Sequence, residues 1–209
     1  MKQQDVHLFV FDGLADWEPG YAVAGINNPR FQLNPGGFRI RTVALQRSSV
    51  VTMGGVRIEP DMSLDNMNPA QSAMLILPGG ESWDAGANRE AVDVAEAFLK
   101  AGLPVAAICG ATAALARGGL LDTRRHTSNA REYLAATQYQ GKAFYVCDDS
   151  LAVTDGDLIT ASGLAPIDFA QHIFKKLNLY SSQVLDAWYG LYKTGKAEYF
   201  GALMQAIRG

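Results

Sequence analysis

The chain has 209 residues, of which 48% are hydrophobic and 19% are charged, a composition typical of a soluble globular protein with a sizeable core. The formal net charge is -3 and the Lys and Arg residues are scattered, which argues against nucleic acid or an anionic membrane surface as a partner. No apolar stretch is long enough for a signal-peptide core or a membrane span, so we expect a cytoplasmic protein.

Four short apolar runs predict strands of a buried parallel sheet, because their apolar residues are consecutive instead of alternating. They cover residues 6–11, 38–45, 73–78 and 104–109. Between the last two runs, residues 88–102 carry apolar positions at helical spacing and stop at Gly102, which predicts a helix with a C-terminal glycine. The Ala-rich segment 110–119 predicts a short helix directly after the fourth strand.

The second half of the chain continues this alternation. Residues 144–161 predict a strand, a short strand, an Asp-Gly turn and a further strand, and residues 164–178 predict an amphipathic helix. One or two more helices are expected over 183–208. The order predicts an α/β fold with an open, mostly parallel sheet between helices, which binds ligands beyond the carboxyl ends of its strands. We expect one domain over residues 1–209, with a core over about 5–180 and a helical extension over about 181–209.

Two cysteines occur, Cys109 and Cys147, and neither has the close Cys or His neighbours of a structural zinc site. We therefore expect free thiols in a reducing compartment, and no metal or cofactor. Cys147 lies in a segment predicted to be extended, with nothing nearby to activate it, and it is interpreted as structural.

Cys109 stands where the fourth strand is predicted to end and the next helix to begin. The free amides and the dipole of a helix N-terminus favour a thiolate, so we expect a lowered pKa for this thiol. Gly110 permits the sharp turn, as in the nucleophile elbow of serine hydrolases. The alternative is that Cys109 is a small buried apolar residue.

Two further segments could complete a site around Cys109. Gly80 ends the third strand, and its amide could form an oxyanion hole with that of Gly110; the alternative is an ordinary Gly-rich turn. Glu18 lies in the predicted loop after the first strand and could reach the thiol if the first and fourth strands are neighbours. It would then be protonated and donate to the thiolate, whereas the alternative is a solvated carboxylate. Trp83 could wall a small-molecule pocket or simply pack against the core.

The motifs "DWE" at 16–18, "LILPGG" at 75–80, "AAICGATAALARGGLLD" at 106–122 and "DGDLITASG" at 155–163 together resemble the DJ-1/PfpI superfamily. The resemblance extends over about residues 5–180 and implies the class I glutamine amidotransferase-like fold, a flavodoxin-like three-layer sandwich, and commonly a homodimer. It implies that Cys109 is the nucleophilic or oxidisable cysteine, Glu18 its partner, and Gly80 and Gly110 the oxyanion donors.

The sequence departs from the family pattern at the histidine positions. Gly110 stands where protease-type members have a histidine, and Asn129 stands where members closer to DJ-1 often have one. His126 is three residues earlier, an offset expected to turn its side chain to the opposite face. His126 is therefore a candidate catalytic residue with a structural role as its alternative, and Asn129 is a candidate substrate-binding residue together with Trp83.

Three functions follow from these residues. The first is an amidase-like or protease-like hydrolase in which Cys109 attacks a carbonyl. The second is a glyoxalase-like or deglycase-like activity on reactive dicarbonyls, which the missing histidine favours because an aldehyde adduct needs no acid for a leaving amine. The third is a non-enzymatic redox sensor or stress-response protein that acts through oxidation of Cys109. For an enzyme we expect a small-molecule carbonyl or amide substrate.

Overall fold

A seven-stranded sheet lies at the centre of the computed structural model, which describes residues 3–146 and 150–207. Cys147 lies outside the described residues. The sheet has the strand order β5-β2-β1-β6-β7-β9-β8, and β3 and β4 form a separate antiparallel pair. The strands are β1 Gln4–Phe9, β2 Phe38–Ala44, β3 Val50–Val51, β4 Arg57–Ile58, β5 Met62–Ser63, β6 Ser72–Leu77, β7 Val105–Ile108, β8 Ala152–Asp155 and β9 Leu158–Ala161.

Every pairing in the large sheet is parallel except that of β8 with β9, which is antiparallel. The expected α/β fold with a mostly parallel central sheet is therefore confirmed. All four predicted apolar runs form strands, and β6 and β7 are buried almost throughout, as consecutive apolar residues require.

The helices cover both faces of the sheet. They are α1 Trp17–Asn27, α2 Arg89–Lys100, α3 Gly110–Arg117, α4 Arg131–Ala135, α5 Pro166–Lys176, α6 Ser182–Thr194 and α7 Ala197–Ala206. The predicted helices after the third and fourth strands correspond to α2 and α3, the amphipathic helix to α5, and the one or two helices expected over 183–208 to α6 and α7. Across the described residues, no helix combines the length and the apolar character needed to cross a bilayer.

Two local expectations were wrong. The first part of the 144–161 segment is not a strand: a 3-10 turn covers Gly141–Phe144, and Tyr145 makes only an isolated bridge with His126. The segment that contains Glu18 is not a loop, since α1 begins at Trp17. Apolar residues lie all round α1, so its sequence shows no apolar stripe from which a helix could be predicted.

The contact of α1 with α5 depends on a glycine and gives a stability prediction. A Cβ at Gly25 would lie 2.2 Å from the Cζ atom of Phe174, a fully buried side chain of α5. Gly25→Ala is expected to lower the free energy of unfolding by about 1–3 kcal/mol through overpacking. Gly20→Ala in the same helix is the control: no heavy atom in the described part of the chain lies within 4 Å of its added Cβ. That variant should gain about 0.5–1 kcal/mol from helix propensity. Urea unfolding of both variants would measure the effects, and a stabilised Gly25→Ala would contradict the packing.

Candidate active site

Cys109 occupies a strained turn between β7 and α3. Its φ of 58° and ψ of -125° lie in a region that a residue with a side chain rarely adopts. The carbonyl of Cys109 accepts hydrogen bonds from the backbone N–H and the Oγ1 hydroxyl of Thr112, at 3.0 and 2.6 Å, which holds the turn in place. A Cβ at Gly110 would lie 2.7 Å from the Gly80 carbonyl oxygen. The elbow therefore has no room for the histidine that protease-type members carry at this position.

Glu18 lies in the first turn of α1 and is 1% exposed. Its Oε2 accepts a 2.5 Å hydrogen bond from the backbone N–H of Gly79, and its carboxyl group is hydrogen-bonded to the thiol of Cys109. Two glycines allow this contact. A Cβ at Gly79 would lie 2.6 Å from both the Cys109 Cβ and the Glu18 Oε2, and a Cβ at Gly163 would lie 2.9 Å from the Cys109 Sγ.

The pairing of Glu18 with Cys109 was predicted on a wrong strand order. The first and fourth predicted strands, β1 and β7, are not neighbours, because β6 lies between them. Glu18 instead reaches across the carboxyl end of β6, where it binds the Gly79 amide. The predicted partner is thus present, but a helix that begins beyond the first strand positions it. Gly163 follows β9 and was not identified from the sequence.

Burial controls the ionisation of this pair. Burial raises the pKa of Glu18 to about 7, against the opposing hydrogen bonds from the Gly79 amide and Cys109. The pKa of Cys109 is raised to about 11, first by burial and then by the charge of Glu18, and hydrogen bonds from Asn129 and the Gly110 amide only partly oppose this. The expected lowering of the thiol pKa is therefore wrong. Above pH 7 the pair carries its negative charge on Glu18 and its proton on the sulfur.

Asn129 is close to Cys109, as its position in the family pattern implied. Its Nδ2 donates to the Cys109 Sγ at 3.3 Å, and its Oδ1 accepts from the Gly163 backbone N–H at 2.8 Å. The second bond fixes the orientation of the amide, so that a donor points to the sulfur. Asn129 can therefore stabilise negative charge that develops on Cys109.

His126 does not line this site. It is fully buried, with Nδ1 at 2.7 Å from the Arg124 carbonyl oxygen and Nε2 at 3.0 Å from the Tyr139 hydroxyl. Both ring nitrogens thus have partners, and burial lowers the pKa of the imidazole. The structure corrects its candidacy as a catalytic residue: His126 packs edge-on against the rings of Tyr139 and Tyr145.

A cavity of about 150 Å³ opens over Cys109. Gly80 and Gly110, the predicted oxyanion donors, both line it, and the Gly110 amide also hydrogen-bonds the sulfur. Trp83 does not line this cavity, and the structure matches the alternative that it packs against the core. It is fully buried, donates from Nε1 to the Pro78 carbonyl oxygen at 2.8 Å, and packs against Phe9 and Phe11 under the elbow.

Several lining residues were not identified from the sequence as part of the site. Trp17 precedes Glu18 at the start of α1, so the "DWE" motif could have indicated it. No sequence pattern pointed to Met53 or Tyr133, which arrive from the β3–β4 turn and from α4. The described residues of the cavity wall are Ala15, Trp17, Glu18, Met53, Gly80, Glu81, Asp84, Cys109, Gly110, Asn129 and Tyr133.

The fold and the elbow cysteine define a class of α/β proteins with a reactive residue at the carboxyl edge of a parallel sheet. A model of the DJ-1/PfpI family matches residues 4–176, and the chain therefore belongs to that family.

Two of the similar proteins match the chain over nearly its whole length, and a third matches part of it. A solved structure of a ThiJ/PfpI family protein from Bacillus anthracis has a TM-score of 0.91 and 42% identity, and the match covers 100% of this chain and 99% of that one. The Bacillus subtilis protein named uncharacterized protease YoaZ is 40% identical over 210 residues, 99% of each chain. Deglycase PH1704 of Pyrococcus horikoshii is 30% identical over 101 residues, which cover 48% of this chain and 61% of that protein.

Proposed function

We propose that the protein converts small 2-oxoaldehydes into 2-hydroxy acids, with Cys109 as the nucleophile and Glu18 as its base. One observation carries this proposal: a buried carboxyl group with a pKa raised to about 7 is hydrogen-bonded to the thiol. A base with a pKa close to the working pH is suited to proton transfer in both directions. Glu18 therefore supplies the proton acceptor that a histidine supplies in other cysteine enzymes.

The first step is addition of Cys109 to the aldehyde. The Sγ–C bond forms as the thiol proton passes to the Glu18 carboxylate, and the electron pair of the carbonyl bond moves to the oxygen. The amides of Gly80 and Gly110 are proposed to bind this developing oxyanion, and the Asn129 amide stabilises charge on the sulfur. Glu18 then returns this proton to the oxygen, which gives a hemithioacetal and restores the Glu18 carboxylate.

The second step moves a proton between two carbons. Glu18 takes the proton from the former aldehyde carbon, whose electron pair forms the double bond of an enediol, and returns it to the neighbouring carbon. The hemithioacetal hydroxyl proton passes to the neighbouring oxygen, which leaves a thioester of a 2-hydroxy acid on Cys109 and the Glu18 carboxylate restored. Water then hydrolyses the thioester and restores the thiol. The net change is addition of one water to the 2-oxoaldehyde, with no external oxidant or reductant.

Two features favour this reaction over amide hydrolysis. An amide needs an acid that reaches the leaving nitrogen, and no histidine is present among the described residues that line the cavity. The volume of about 150 Å³ is also below the roughly 300–1,000 Å³ of pockets for drug-sized ligands, so it suits a substrate smaller than such ligands.

The relatives' names divide between the same alternatives, since YoaZ is named a protease and PH1704 a deglycase. The raised pKa of Cys109 gives the redox-sensor alternative less support, because peroxide oxidises the thiolate form.

The chirality of the product tests the proposal. With methylglyoxal as substrate, we expect lactate with a large excess of one enantiomer, because the proton is delivered inside an asymmetric cavity. Proton NMR would follow the substrate and chiral chromatography the product, with Cys147→Ser as a control that leaves Cys109 as the chain's single thiol. Racemic lactate, or no lactate together with cleavage of a small anilide, would overturn the proposal and support the hydrolase alternative.

A further inference from the structure

We propose that the mouth of the Cys109 cavity selects uncharged carbonyl compounds with an apolar substituent and rejects those that carry a carboxylate or phosphate. The selecting side chains are Trp17 and Met53 on one side, and Glu81 and Asp84 on the other. This inference names the substrate class of the proposed function, and its statement about turnover rests on that function. The selectivity itself concerns which molecules reach the Cys109 thiol, and it can be measured without turnover.

Trp17 and Met53 form the apolar side of the mouth. Trp17 is 53% exposed and Met53 48% exposed, so about half of each large side chain is left in contact with water beside the cavity. An apolar group that enters between them removes this apolar surface from water, which favours its binding.

The two apolar side chains are held together by the backbone. The Met53 N–H donates to the Leu14 carbonyl oxygen at 2.9 Å, and the next N–H, that of Gly54, donates to Asp16 Oδ2 at 2.7 Å. The β3–β4 turn is thereby tied to the residues directly before α1. Because Trp17 directly follows Asp16 and is the first residue of α1, these bonds hold the backbone of Met53 near that of Trp17 before a ligand arrives.

Glu81 and Asp84 form the charged side of the mouth. Asp84 accepts a 2.6 Å hydrogen bond from the Tyr133 hydroxyl, which keeps its carboxylate beside the cavity. Arg117 lies 3.6 Å from Asp84 and donates to the Trp83 carbonyl oxygen, but it does not line the cavity. No Lys or Arg occurs among the described residues that line the cavity.

The charge of the mouth is therefore negative, and it adds to that of the Glu18 carboxylate. An anionic substrate meets repulsion from each of these groups, and salt weakens this repulsion because the mouth is open to water. A neutral alkyl or aryl glyoxal avoids the repulsion and gains the apolar contact.

Thiol labelling tests the selectivity without turnover. In Cys147→Ser protein, intact-mass kinetics would give the rates of Cys109 with N-phenylmaleimide and with N-carboxymethylmaleimide, each divided by its rate with free N-acetylcysteine. We expect the neutral aromatic reagent to be favoured by about tenfold or more at low salt, and the ratio to narrow in 0.5 M NaCl.

Matched variants test the apolar side and the charged side of the mouth separately. Trp17→Ala or Met53→Ala should each lower the preference for the phenyl reagent about threefold or more, whereas Phe200→Ala, which removes an aromatic side chain 54% exposed on α7, should not. Glu81→Gln should speed the anionic reagent about threefold and weaken its salt dependence, whereas Glu90→Gln on α2 should do neither. Equal normalised rates for the two reagents in Cys147→Ser protein with no substitution in the mouth would overturn the inference.

A turnover comparison separates this inference from the proposed function. Phenylglyoxal should be converted with a kcat/KM at least about tenfold above that of 4-carboxyphenylglyoxal. Turnover of both substrates at equal kcat/KM would contradict the selectivity and leave the proposed function standing. Selective labelling with no turnover of either substrate would support the mouth and contradict the proposed function.

Discussion

Cys109→Ser is expected to lower kcat/KM for methylglyoxal by about 10³-fold or more, because a serine hydroxyl is a far weaker nucleophile and far harder to deprotonate than a thiol. The Glu18 carboxylate, with a pKa raised to about 7, can take a proton from a thiol whose pKa is about 11, but it is a poor base toward an alcohol. The measurement is enantiomerically resolved lactate formation. Retention of more than about a tenth of the activity would show that Cys109 is not the nucleophile.

The strained backbone at Cys109 predicts how substitutions of this residue change the free energy of unfolding. A side chain at φ 58° and ψ -125° costs on the order of 1–3 kcal/mol, and glycine is free of this cost. Cys109→Gly is therefore expected to be more stable than Cys109→Ala by about 1–2 kcal/mol in urea unfolding. Ala113→Gly in the interior of α3 is the control and should lose about 1 kcal/mol. A less stable Cys109→Gly would mean that the elbow is not strained.

The elbow could be predicted from sequence because its causes are local. An apolar run that ends in Cys-Gly before an Ala-rich segment fixes a strand, a turn and a helix within a few residues of one another. Even the absence of a histidine after Cys109 has a structural reason, since the Gly80 carbonyl oxygen occupies the space next to Gly110.

The strand order could not be predicted in the same way. Short apolar runs specify burial but not neighbours, so the sequence left open whether the first and fourth predicted strands are adjacent, and in the structure β6 separates them. The cavity wall shows the same limit. Met53 and Tyr133 come from the β3–β4 turn and from α4, and only the tertiary structure brings them to Cys109.

The sequence predicted a lowered pKa for the Cys109 thiol, whereas its pKa is raised, and the difference has a physical reason. A helix N-terminus is visible in a sequence, and it does act here, since the Gly110 amide lowers the pKa of the thiol. Burial and the charge of Glu18, which the tertiary structure places at the Gly79 amide beside Cys109, both raise the pKa. These two effects are larger, so the reactive group at rest is a thiol beside a carboxylate.

Glu18→Gln is expected to make the protein more stable at pH 8 and much less active. In the native state the pKa of Glu18 is about 7, above its ordinary value of 4.5. Below about pH 4.5 the Glu18 carboxyl group is protonated in both the native and the unfolded state, so its ionisation does not lower the free energy of unfolding. As the pH rises from 4.5 to 7, the unfolded chain loses the proton first, so stability falls until the native carboxyl group ionises as well. Since each tenfold change in an acid constant is worth about 1.4 kcal/mol, the loss above pH 7 is about 3 kcal/mol.

Glutamine does not titrate, so the difference in unfolding free energy between Glu18→Gln and the unsubstituted protein should grow by about 3 kcal/mol from pH 4 to pH 8. Urea unfolding at intervals of half a pH unit would measure this growth. Glu90→Gln, which removes an exposed carboxylate from the first turn of α2, is the matched control and should show no such growth. A constant difference for Glu18→Gln would show that the native carboxyl group ionises near its ordinary pKa.

The same substitution should lower kcat/KM for methylglyoxal by about 10²-fold or more, because the amide cannot accept the thiol proton. In the unsubstituted protein, kcat/KM should rise with pH to a plateau above about pH 7 as Glu18 ionises. In Glu18→Gln that rise should disappear and be replaced by a slower increase at high pH, where hydroxide deprotonates Cys109 directly. A variant that keeps the rise near pH 7 would assign the base to another group, whereas loss of the rise together with the gain in stability would show that one buried carboxyl group destabilises the fold and activates the thiol.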